Sequence, residues 1–236
     1  MKALIISVLL LLTSLSFSQN RTGRSRQTPI QDYYKSFHEN EISDKVDLEK
    51  VIGSPYEKED FILGEIVDLI TKESVQGLKF RYNVYQNFIE ILSPDDVDKE
   101  KINALVQSEN IYVKLGNKEY HYKDYINKDL ERKSGYLIKY RSNSGINVYK
   151  EIVKKFYEPK IAQTSYHKDD PGRFVDIENY YLEINGQVKE VKMNKNKIVD
   201  YFPDNQKSLK NYIKKEKLSF KDQKDLVLLV SYYSRL

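Results

Sequence analysis

The feature that most constrains the fold of this chain is a series of short segments in which apolar and polar residues alternate, separated by turn signals. The clearest segment is 78–84, where Leu, Phe, Tyr and Val alternate with Lys, Arg and Asn. The strongest turn signal is Asn185-Gly186, because both residue types tolerate the positive φ angles of a type I′ turn. Strands joined by reversals this short favour an antiparallel sheet.

We predict about eight strands in an antiparallel sheet that is curled, barrel-like or folded as a sandwich. The strands fall at 61–69, 78–84 and 88–92, followed by three hairpins with turns at 116–117, 142–145 and 185–186. Between these groups, Ser93-Pro94 followed by acidic residues and then by Val97, Ile102, Leu105 and Val106 predicts a short helix or helical turn.

Apolar residues recur at helical spacing after Met193 and predict three amphipathic helices. Asp204 is expected to cap the second helix, and Ser219 the third, with Asp222 completing a capping box. The fold class is therefore α+β, with a mainly antiparallel β domain over 31–194 and a helical segment over 195–236 packed on it. One or two short helices are also predicted within 32–52.

Residues 1–18 have the composition of an export signal, with Lys2 before an apolar run and serine at positions 16 and 18. The apolar run, 3–12, is shorter than the ~20 residues that cross a bilayer, so we expect cleavage rather than anchoring. The mature chain then begins near Gln19 with a flexible lead-in to residue 30. These features predict a periplasmic, extracellular or cell-surface protein, with no transmembrane segment after cleavage.

The composition limits how such a chain can be stabilised and which partners it can bind. The absence of cysteine excludes a disulfide framework and a lipid-modified cysteine. The twenty tyrosines suit half-buried strand positions. Residues 195–236 contain ten basic and five acidic side chains, which attract anionic partners or simply form a solvated helix face. We favour the solvated face and expect no nucleic-acid partner.

Motifs of known chemistry do not emerge from the sequence. It contains no G-x-S-x-G motif of serine hydrolases and no glycine-rich phosphate loop. His121 is interpreted as a surface imidazole, and the loop at His167 as a solvated turn rather than a metal site. The acids of 95–98 are explained by a helix start, because they lack the glycine and distal glutamate of a calcium loop. We therefore predict no catalytic residues, no metal and no cofactor.

The most usable candidate binding surface surrounds the reversal after the clearest strand. Arg81 and Asn83 share the polar face of that strand, and Tyr85 and Asn87 flank the reversal. Together these side chains could form a flat hydrogen-bonding surface for a sugar or a peptide. The alternative interpretation is an ordinary solvated sheet face.

Four sequence blocks resemble a group of uncharacterised exported proteins of Bacteroidota. The blocks are residues 53–56, 81–85, 89–91 and 179–182, followed by the terminal helices. The resemblance covers most of the mature chain. It implies periplasmic or cell-surface residence and no particular activity.

The expectation for function is a non-enzymatic binding or interaction module whose partner is an unknown envelope component, glycan or protein. One alternative is a hydrolase that uses two carboxylates from separate strands, with Glu65, Glu90 and Glu183 as strand acids. The other is a carrier that holds a small apolar ligand inside a barrel.

Overall fold

The structure, a computed structural model, describes residues 51–92, 102–143, 145–162 and 169–236. It is a mostly-sheet α+β fold, with ten strands where the sequence predicts about eight. The strands are β1 Ile62–Asp68, β2 Ser74–Asn83, β3 Phe88–Leu92, β4 Ile102–Ala104, β5 Ile111–Leu115, β6 Lys118–Ile126, β7 Arg132–Asn143, β8 Ile146–Tyr157, β9 Arg173–Ile184 and β10 Gln187–Glu190. A 3₁₀ helix at Ile198–Tyr201 and the helices α1 Gln206–Lys215 and α2 Gln223–Tyr233 follow.

The ten strands form one sheet in the order β4-β3-β2-β1-β5-β6-β7-β8-β9-β10. Strand β10 also pairs with β6, where Lys189 lies opposite Ile126, so that β6 to β10 close into a ring of five strands. Each step from β6 to β10 is antiparallel, which leaves β10 pointing in the same direction as β6. The closing pair is therefore parallel, and the sheet is mixed rather than purely antiparallel.

An apolar cluster in the ring contains one buried side chain from each of the five strands. These side chains are Tyr125, Leu137, Tyr149, Tyr181 and Val188. Three of the five are aromatic, and the rings of Tyr125 and Tyr181 meet edge to face at 4.8 Å. A small ring of strands packs its centre with side chains in this way, because its interior has little more room than the side chains themselves fill.

Two larger apolar cores lie outside the ring. The first joins β1, β2, β3 and β5 with the outer face of β6 and β7, and Phe80, Ile89 and Val113 are fully buried in it. The second lies between the outer face of β8 and β9 and the C-terminal helices, where Val148 and Leu182 meet Leu209, Leu226 and others. The helical segment is thus packed on the sheet through an apolar interface.

The helix predicted after Ser93 is wrong where the structure describes it. Residues 93–101 lie outside the described part, and Ile102–Ala104 forms the edge strand β4, which pairs with β3. The backbone NH of Leu105 donates to the carbonyl of Ile89 at 2.8 Å, and the Leu105 side chain is buried in the first core. Pairing with a sheet edge and burial of Leu105 outweigh the local helical pattern.

The C-terminal helices are present with different ends and caps. The first of the three is only the 3₁₀ turn. Asp204 does not cap α1; its carboxylate instead accepts from the hydroxyl of Tyr233 at 2.6 Å. Asp222 is itself the N-cap of α2, and Ser219 donates to Asp225. No described helix is long and apolar enough to cross a membrane.

The predictions for the N-terminal part cannot be placed on this fold. The export signal, the lead-in and nearly all of the predicted helices of 32–52 lie outside the described residues. The described chain begins at Val51, and Ile52 bridges Arg173 on β9.

Candidate binding site

Arg81 lies on the face of β2 opposite the first core, but it is covered rather than solvated. Its Nε donates to Oε2 of Glu90 on β3 at 2.8 Å, and Glu90 is only 1% exposed. The guanidinium lies over the ring of Tyr56, 3.7 Å from its centroid. Burial and the charge of Glu90 raise the pKa of Tyr56. The cover comes from the segment before β1, which alternation within β2 does not reveal.

Asn83 belongs to the same buried network. Its side-chain amide donates to Oε1 of Glu90 at 3.3 Å and to Oε1 of Gln86 at 3.1 Å, while its oxygen accepts from the Gln86 backbone NH. Glu90 therefore has a guanidinium on one oxygen and an amide on the other. A buried carboxylate requires compensation of this kind, because an unpaired charge is costly away from water.

Asn87 links the β2–β3 turn to β7 through hydrogen bonds. Its Oδ1 accepts from the hydroxyl of Tyr82 and from the backbone NH of Tyr136, both at 3.1 Å. Its Nδ2 donates to the carbonyl of Ser134 at 3.3 Å. Tyr85 is the exposed member of the predicted set, and its ring packs edge to face against Phe174. The four predicted residues thus lie near one another, but only the Tyr85 side chain is exposed.

Two glutamates line the ring of strands and are held by tyrosines. Glu151 accepts from the hydroxyls of Tyr125 at 2.5 Å and Tyr181 at 2.6 Å. Glu183 accepts from the hydroxyl of Tyr149 at 2.9 Å. Burial and these carboxylates raise the pKa of all three tyrosines, which therefore remain protonated donors.

The two ring glutamates do not form a pair. In the β8–β9 ladder Glu151 lies opposite Asn179, and Glu183 lies opposite Asn147. These two positions are four residues apart along the strands, which separates the two backbones by about 13 Å.

His121 is not the surface imidazole that the sequence predicts. Its ring is buried, stacked on Tyr112 with centroids 4.9 Å apart and edge on to Tyr149 at 6.1 Å. Burial, together with the charges of Lys139 and Lys123, lowers the pKa of His121 to about 3. The imidazole is therefore neutral at physiological pH. The alternation of β6 indicates which side His121 faces, but not that this side is covered.

An open concavity lies beside α1 and has a volume of about 860 Å³. We call it the lysine groove. Its lining residues are Met193, Asn194, Lys195, Asn196, Lys210, Ile213, Lys214, Lys217, Leu218 and Ser219. The four lysines are exposed, and none of their ammonium groups hydrogen-bonds or ion-pairs with another residue of the described ranges.

One wall of the groove is a helix face and the other is a tight turn. Lys210, Lys214 and Lys217 follow one another at intervals of four and three, which places them on one side of α1 and its end. Lys217 has a φ of 54°, the left-handed position that ends a helix and usually carries glycine. On the opposite wall, the carbonyl of Asn194 accepts from the backbone NH of Ile198 at 2.9 Å.

A second concavity, beneath the segment before β1, is much smaller, at about 70 Å³. Glu57 lies in its wall and binds the ammonium of Lys118 and the hydroxyl of Tyr120. The Glu57 carboxylate is thus already paired, and the volume of the concavity is well below the roughly 300 Å³ at which ligand pockets begin.

Neither metal-site geometry nor similarity to known proteins assigns a function to the described residues. Within the described ranges, no group of three or more histidine, aspartate or glutamate side chains could hold a metal ion. Comparison with protein-family models, curated proteins and solved structures finds no match to this chain.

Proposed function

We propose that this chain is an exported, non-enzymatic binding module of the periplasm or cell surface, and that the lysine groove holds an anionic envelope component. The observation that carries the proposal is the convergence of four unpaired ammonium groups in one groove. The acidic groups of Glu57, Glu90, Glu151 and Glu183 have direct partners instead. Charge without a partner inside the molecule is available to a ligand.

The protonation behaviour of the described side chains supports a binding role over an enzymatic one. Acid–base catalysis near neutral pH needs a carboxyl whose pKa is raised, or a histidine that titrates near 7. Here a hydrogen bond from Gln76 lowers the pKa of Glu65, and burial lowers the pKa of His121. The pKa of the buried tyrosines is raised, which disfavours the reactive phenolate.

The two alternatives gain less support. A hydrolase needs two carboxyl groups roughly 5 to 10 Å apart in one cleft. Among the acids considered for that role, Glu90 is buried against Arg81, while Glu65 is half-buried on β1 and accepts a hydrogen bond from Gln76. A carrier of an apolar ligand needs an open interior, and the ring centre is filled by side chains such as Tyr149 and Tyr181.

Binding of the purified chain to anionic envelope material tests the proposal. The probes are acidic oligosaccharides, vesicles containing phosphatidylglycerol and peptidoglycan fragments, measured by isothermal titration calorimetry at low and high salt. We expect binding to at least one anionic probe, weakened by salt because exposed charges are screened. Incubation of the same probes with the protein, followed by chromatography, should reveal no cleavage.

The matched variants use one helix. The double variant Lys210→Gln, Lys214→Gln removes two charges from the groove, whereas Lys207→Gln, Lys215→Gln removes two from elsewhere on α1. We expect only the first to weaken binding. Equal weakening by both variants, binding to no anionic probe, or turnover of any probe would overturn the proposal.

A further inference from the structure

We infer that the lysine groove accepts an acidic oligosaccharide that lies lengthwise between its two walls. This inference rests on the proposed function and names the ligand class of that same site. It follows from the kinds of groups that line the groove, from their arrangement, and from the fit of competing anions.

The groove is lined by three kinds of groups, and each has a counterpart on an acidic sugar. The ammonium groups of the lysines pair with carboxylates or sulfates. The side-chain amides of Asn194 and Asn196 can donate to and accept from hydroxyls. Met193 is half-buried and supplies apolar surface, against which the C–H face of a sugar ring can pack, whereas Ile213 and Leu218 are buried and form the floor of the groove.

The lysines are arranged in a row rather than in a cluster. Lys210 and Lys214 lie one helical turn apart, about 6 Å along the axis of α1. Lys217 continues the row past the end of the helix, and Lys195 stands on the other wall. A row of cations suits a polymer that repeats its negative charge, whereas a single anion would use only one or two of them.

Other anions fit this lining less well. A free phosphate would fill only a small part of 860 Å³. A membrane surface meets the outermost groups of a protein and does not enter between two walls. Single-stranded nucleic acid is usually held by aromatic side chains that stack on its bases, and the residues that line the groove include no aromatic one.

The direct experiment compares a charged saccharide with its neutral counterpart. The probes are an oligomer of galacturonic acid, the same oligomer with methyl-esterified carboxyls, and vesicles containing phosphatidylglycerol. We expect binding of the acid oligomer, at least tenfold weaker binding of the ester, and about tenfold weaker acid binding by the variant Lys210→Gln, Lys214→Gln. The variant Lys207→Gln, Lys215→Gln should bind as the unaltered protein does.

The variant Asn196→Ala distinguishes a saccharide from a simple charged surface. Loss of the amide should weaken binding of the acid oligomer severalfold and leave vesicle binding unchanged, because a lipid surface would use the lysines alone. Circular dichroism and melting curves identify any variant that fails to fold, and Lys214→Gln alone then replaces the double variant. Groove-dependent binding of vesicles without binding of the oligomer would overturn this inference and leave the proposed function intact. Binding of no anion would overturn both.

Discussion

At the scale of single residues, both carboxylate oxygens of Glu90 and of Glu151 accept hydrogen bonds. Glu90 binds Arg81 and Asn83, and Glu151 binds two tyrosine hydroxyls. Tyrosine suits this role, because its ring fills apolar space while its hydroxyl donates to a carboxylate. The abundance of tyrosine is thus partly explained by the acids that lie inside the sheet.

Removal of Arg81 should destabilise the fold strongly. Arg81→Met leaves the carboxylate of Glu90 buried without its cation, which costs about 3 kcal/mol or more of unfolding free energy. The double variant Arg81→Met, Glu90→Gln should recover part of the loss, because no buried charge remains. Urea unfolding measures both. A loss below 1 kcal/mol in the single variant would mean that Glu90 is solvated.

The buried His121 should make stability depend on pH. Its pKa is about 3 in the folded chain and near 6.5 when unfolded, so the unfolded chain binds more protons between these values. The unfolding free energy should therefore fall as the pH drops below 6.5, by about 1.4 kcal/mol per unit from this group. His121→Gln should flatten that part of the profile in urea titrations from pH 7 to 4. An identical profile in the variant would contradict a buried neutral imidazole.

The sequence indicates which side of a strand a residue faces, but not what covers that side. For Arg81 and Asn83 the alternation predicts the polar side of β2 correctly, yet the cover comes from residues more than twenty positions earlier, such as Tyr56 and Glu59. The same holds for His121, which becomes buried against Tyr149 on a strand that is not its neighbour in the sheet.

At the scale of elements, the sequence predicts turns from local signals but does not predict pairing with distant segments. The hairpins at Gly116-Asn117 and Asn185-Gly186 form where predicted, and Asn185 and Gly186 both have the positive φ that the turn requires. The local pattern of 102–106 predicts helix, whereas Ile102–Ala104 forms strand β4, because pairing with β3 depends on a partner outside the segment. In the lysine groove, helical spacing predicts the row on α1, but not the facing turn at Asn194.

Truncation after Met193 should destabilise the remaining sheet. The removed segment covers Ile146, Val148 and Leu182, and burial of such side chains contributes about 1.5 to 3 kcal/mol each. We expect a lower melting temperature or loss of solubility, measured by differential scanning fluorimetry and sedimentation. A soluble truncated chain with an unchanged melting temperature would show that the helices are an independent unit.

At the scale of the whole molecule, the fold class follows from the sequence but the closure of the ring does not. Alternation and turn signals predict successive antiparallel strands, and all nine pairs of neighbours in the order of the described sheet are antiparallel. The parallel pairing between β10 and β6 involves a single pair of residues, and no local sequence pattern predicts it. The curled, barrel-like alternative of the prediction describes β6 to β10 best.

Closure of the ring also has a consequence for how the chain acquires its fold. Ile126 and Lys189 are about sixty residues apart in sequence, so their contact costs far more chain entropy than any two-residue turn. We expect β10 to join β6 late in folding and to open first under native conditions. In amide hydrogen exchange, the protons of β10 should therefore exchange faster than those of β8, whose twelve residues pair with β9 along their whole length. Equal protection of the two strands would mean that the ring opens and closes as one cooperative unit.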